Sequence, residues 1–117
     1  MLAGEAVTEP LEFVLISRLR EVIADEAATE RELRDAGEQA EGWERVLVGQ
    51  IAAGEQRLRR LNADPASPLA EIAAELRHVD AVRSELVELR SLVEDLDQRA
   101  RELRTAWLLS QAQSSDS

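Results

Sequence analysis

VDAVRSELVELRSLVEDLDQRARELRTAW, residues 79–107, is the stretch that decides the fold. In it Val79, Val82, Leu86, Leu89, Val93, Leu96, Ala100, Leu103 and Trp107 succeed one another at alternating intervals of three and four. That alternation returns to one side of an α-helix every two turns, so these side chains form a seam. A seam of this length has to be covered by another helix, from the same chain or from a partner.

Upstream, Leu69, Ile72 and Leu76 lead into Val79 with the same rhythm, but the step to Val82 is three where four is due. A short step overwinds a coiled coil locally and turns the two halves of the stripe slightly apart. Before it, Asn62 to Pro68 reads NADPASP, the one clear interruption. Pro65 and Pro68 cannot sit in a helix interior, and Asn62, Asp64 and Ser67 suit turns and caps. Ser67 is expected to cap and Pro68 to open a helix running from about 68 to about 110, with a polar, frayed tail over 111–117.

On the other side of the turn, Leu61, Leu58, Ile51, Leu47 and Trp43 recur at helical spacing, joined by the small Ala40 and Ala36 and by Leu33. Gly37 and Gly42 each cost a helix interior about 1 kcal/mol. Continuation through them is favoured, giving one helix over about 9–62; a break near Gly37–Gly42 would give three helices instead. Gly49 and Gly54 either allow close backbone approach or merely weaken the helix. Thr8, Glu9 and Pro10 form a helix start, after which Leu11, Val14, Leu15, Leu19, Val22 and Ile23 make a stripe. Phe13 and Ile16 lie off it, so this segment is apolar on more than one side and has two neighbours to satisfy.

The expected fold is therefore all-α, one domain over 1–117: a long antiparallel helical hairpin, coiled-coil-like, folded at Pro65. Folding there sets Ala36 and Ala40 opposite Val93–Leu96, small against large, and brings Ile23 toward Trp107. Two helices leave Phe13, Ile16, Val87, Leu92, Leu108 and Leu109 with little cover. A homodimer completing a four-helix bundle, or another helical protein, is expected to supply it.

Composition narrows the function classes. The chain has 117 residues, no Cys, one Phe, two Trp and a formal charge of −10. Without Cys there is neither a disulfide nor a thiolate metal site. So few rings and so negative a charge argue against direct nucleic-acid binding and against an anionic membrane surface. All fourteen basic residues are Arg, as a GC-rich genome would produce. No apolar run nears the ~20 residues that span a bilayer, and Met1–Pro10 lacks the cation of a signal peptide. A cytoplasmic setting is the expectation.

Chemistry is thin. The sole histidine, His78, follows Glu75 by three positions, so both share a helix face and can grip one metal ion. This E-x-x-H spacing resembles the iron-binding motif of ferritin-like proteins, including encapsulated ferritins that pair two-helix subunits. The resemblance implies a di-iron carboxylate protein with Glu75 and His78 as ligands and iron as cofactor; Glu55, opposite Glu75 in the folded hairpin, would add a carboxylate. The residue-level reading is a solvated His on a charged face, with no metal and no cofactor. Trp43 is followed by Glu44 and Arg45, not by the x-Gly of the acidic hairpins of type VII secretion, and is read with Trp107 as a packing residue. No catalytic constellation or phosphate-cradling glycine loop can be assembled.

The leading expectation is thus a non-catalytic helical interaction protein: a scaffold, chaperone or regulatory adaptor. Its partner-binding surface is expected at Phe13, Ile16, Leu19 and Ile23, together with Trp107, Leu108 and Leu109. The alternatives are the di-iron protein and an acidic inhibitor imitating nucleic acid, which the charge of −10 would steer toward a basic groove.

Overall fold

The computed structural model describes residues 11–115, and their side chains from Val14 to Ser114. They form three helices, α1 (Leu11–Ala24), α2 (Glu30–Ala63) and α3 (Leu69–Ser115), with no strand among the described residues. The all-α expectation holds. The helix start expected at Thr8–Pro10 and the side chain of Phe13 lie outside the described residues.

The helices contribute to two compact units. One, Glu41–Ser91, is an antiparallel hairpin made of the second part of α2 and the first part of α3. Its interior is Leu47 and Gly54 from α2 with Val79, Val82, Leu86 and Leu89 from α3, all buried. Polar pairs mirror one another about the turn. The Trp43 indole N–H donates to Glu85 Oε2 at 3.1 Å, and Arg90 Nε donates to Glu44 Oε1 at 2.8 Å. At the turn, Asp64 Oδ1 accepts from the Ala66 N–H at 2.9 Å, and the Asp64 carbonyl accepts from the Ser67 N–H at 3.0 Å. The Pro68 carbonyl takes the first helical bonds, from the N–H groups of Glu71 and Ile72. Pro68 itself thus occupies the cap position of α3, one residue later than the expected Ser67 cap.

The other unit gathers α1, the start of α2 up to Ala40, and α3 from Leu92 onward. Ile16, Leu19, Ala28, Leu33, Ala36, Ala40, Leu92 and Leu96 are its buried core. The chain breaks at residues 25–29, which corrects both the continuous helix over 9–62 and the alternative break near Gly37–Gly42. The cause is local. Asp25 Oδ1 accepts from the Ala27 N–H at 2.9 Å, and the Asp25 carbonyl accepts from the Ala28 N–H. Thr29 Oγ1 then accepts from the Glu32 N–H at 3.1 Å and caps α2. Short polar side chains that capture backbone amides compete with helical continuation. The glycines do not, because buried Leu33, Ala36, Ala40 and Leu47 hold α2 together on both sides of them. From α3, Arg99 Nη2 donates to the Asp25 carbonyl at 3.1 Å, closing the end of α1 with a cation.

Three further expectations are corrected. Ile16 and Leu92 are core, because α1 folds back onto the same unit and covers what a two-helix hairpin would leave open. Leu69 and Leu76, placed on the stripe by their spacing, are 82% and 49% exposed; the short step at Val79–Val82 turns the stripe away from them. The helix expected to end at about 110 runs to Ser115.

Candidate functional site

The E-x-x-H residues lie in the hairpin unit. Arg57 Nε and Nη2 donate to Glu75 Oε1 and Oε2 at 3.0 and 3.1 Å, a bidentate pair. The Arg57 hydrogen bonds hold the Glu75 carboxyl below the usual carboxylate range, against a smaller opposing effect of burial, and His78 adds a further pull in the same direction. Glu55 turns instead to Arg83. His78 is exposed. Proximity of Glu75 to Gly54 does follow from the folded hairpin: a Cβ on Gly54 would stand 3.2 Å from Glu75 Oε2. Each carboxylate is nevertheless engaged by its own guanidinium, and among the described residues no three His, Asp or Glu side chains converge as a metal site. The cluster is an ion-paired clasp near the turn.

The sequence-predicted partner surface separates into two groups. Ile16 and Leu19 are buried within their own unit and Ile23 is half-buried, so α1 spends this stripe on internal packing. Trp107, Leu108 and Leu109 stand 61%, 52% and 60% exposed near the end of α3. The reason is length. Arg104 approaches Glu30, the first residue of α2, at 3.9 Å, and from Arg104 to Ser114 every residue of α3 is exposed. About three turns of helix thus run past the start of α2. Where they begin, Ala28, Glu30, Leu103, Arg104 and Trp107 line an open groove. Three consecutive large apolar residues cover more than half the circumference of a helix, so no rotation about its axis hides them all.

The hairpin unit has exposed apolar side chains of its own: Val46, Val48, Leu69, Leu76 and Val87. They are dispersed among charges, as single surface hydrophobes commonly are. The end of α3 differs in being free of charge: from Thr105 to Ser115 there is no Asp, Glu, Arg, Lys or His, in a chain that is 32% charged.

Two structural residues went unread in the sequence. Thr29 stands three before Glu32, the T-x-x-E signature of a helix start, and it was there to be found. Arg99 has no sequence signal; only the fold shows that it reaches the Asp25 carbonyl.

Compared with known protein families, curated proteins and solved structures, the chain matches none of them. No helix among the described residues is long and apolar enough to cross a membrane.

Proposed function

We propose that this chain is a non-catalytic helical interaction protein whose working surface is the bare end of α3, centred on Trp107, Leu108 and Leu109. The observation that carries the reading is their joint exposure on a helix that has outrun its neighbour. At 61%, 52% and 60% exposed, they forgo roughly half of the ~1.5–3 kcal/mol that full burial of a large apolar side chain provides. An isolated helix of eleven residues is also marginal in water. A helix or groove laid against this end would relieve both deficits. Aromatic anchors of this kind dominate the energetics of interfaces.

The test is recovery from the native cells under mild crosslinking, comparing the tagged wild type with a Trp107→Glu, Leu108→Glu variant. Species retained by the wild type and lost with the variant support the reading. Identical recoveries from a variant with unchanged helicity would abolish it.

A further inference from the structure

Resting on that reading, we infer that the partner at the end of α3 is a second copy of this chain, and that the two α3 ends cross antiparallel about a two-fold axis at Leu108. Charge points to a copy. Two molecules of net charge −10 repel wherever acidic surfaces meet, yet Thr105–Ser115 carries no charge to oppose an identical segment. Direction follows from what flanks the stretch. On its N-terminal side lie Arg101 and Arg104; on its C-terminal side the last turn of α3 has no basic residue. That turn is the negative end of the helix dipole. Two parallel copies would set the like ends together. Two antiparallel copies put Arg104 of each beside Ala112 of the other, and Arg101 beside the other's last turn. Each molecule receives from its mate the cation its own last turn lacks.

Spacing fits the same arrangement. Arg101, Arg104, Leu108, Ala112 and Ser115 recur at three and four, so they share a face of α3. Ala112 is small enough for the arginine stem to lie across it. The Arg104 contact with Glu30 is long, at 3.9 Å, and the Arg104 side chain is 62% exposed. A guanidinium so exposed can reach a second molecule while giving up little. Trp107 and Leu109, one on either side of Leu108, close over the flanks. The exposed apolar patch is Trp107, Leu108 and Leu109 on each copy, far fewer than the ~20–30 residues a side of a standard stable interface. The dimer is therefore weak and concentration-dependent.

Sedimentation of the full chain alone, between about 10 µM and 1 mM, should show a rising dimer fraction that Trp107→Glu, Leu108→Glu eliminates without loss of helicity. Register is read by disulfides, since the chain has no cysteine of its own. Leu108→Cys should cross-link to itself on oxidation. Thr105→Cys should not, but should couple to Gln111→Cys when the two variants are mixed. A wild type that stays monomeric throughout, a dimer that survives the double substitution, or Thr105→Cys coupling to itself in preference to Gln111→Cys would each overturn the proposal. A monomer whose native-cell recoveries still depend on Trp107 and Leu108 would refute only the self-pairing and leave the interaction reading intact.

Discussion

Gly54 shows how one hydrogen atom in place of a methyl can set the spacing of two helices. A Cβ there would lie 2.5 Å from Val79 Cγ2, far inside van der Waals contact. Valine in a helix has one strongly preferred rotamer, so that methyl cannot swing aside cheaply. Gly37 and Gly49, by contrast, have nothing within 4 Å of an added Cβ. Gly54→Ala should therefore destabilise by about 1–2 kcal/mol, overpacking outweighing the gain in helix propensity. Gly37→Ala and Gly49→Ala should each stabilise by about 0.5–1 kcal/mol. Urea denaturation of the three variants checks the sign reversal, and equal effects at all three sites would refute it. Beside Gly54, the Glu75 carboxyl titrates below the usual carboxylate range because Arg57 favours its charged form. A depressed carboxyl stabilises the fold above its unfolded pKa and loses that contribution as pH falls through the folded value. Arg57→Ala should thus raise the Glu75 titration midpoint, followed by carboxyl NMR. The stability gap between variant and wild type should shrink on acidification.

The two links show at the scale of elements what could be read and what could not. Residues 25–29 and 64–68 use the same device: an Asp whose carboxylate accepts the amide two residues on and whose carbonyl accepts the next. The second was legible because Pro65 and Pro68 forbid a helix. The first was not, because Glu26, Ala27 and Ala28 are good or neutral helix formers and only the polar side chains at its two ends resist. Misplacing that break hid α1's fold back onto its own unit. It also assigned Ile16 and Leu19 to a partner when they belong to the core. Leu108 and Leu109 were legible as poorly covered because they lie off the seam. Trp107, placed on the seam opposite Ile23 and read as a packing residue, is 61% exposed because the break at 25–29 starts α2 only at Glu30. Thr29→Ala, which deletes the cap of α2, should cost about 1 kcal/mol. Faster hydrogen exchange at the Glu32 amide would localise that loss to the first turn. Exchange unchanged there would mean that the Thr29 hydroxyl is not the effective cap.

Across the whole molecule, α2 and α3 belong to both compact units and pass from one to the other without a break. Each helix carries buried side chains into both interiors: Ala40 and Leu47 on α2, Leu89 and Leu92 on α3. The short spans between them contain no proline, no turn and no positive-φ residue. Melting one unit alone would create new helix ends in the middle of both rods, each with unsatisfied amides or carbonyls where none existed. It would also strip the neighbouring buried leucines of half their helical support. Unfolding should therefore be a single cooperative transition despite the two cores. The chain holds its own reporters, since Trp43 lies in the hairpin unit and Trp107 in the other. In Trp107→Phe and Trp43→Phe variants, the remaining indole should report the same urea midpoint as circular dichroism of the same protein. Leu19→Ala and Leu86→Ala, one in each core, should each cost about 2–5 kcal/mol and shift both reporters together. Trp43 holding its midpoint while Trp107 loses its own, or the reverse, would mean that the helices yield between the units before the cores do.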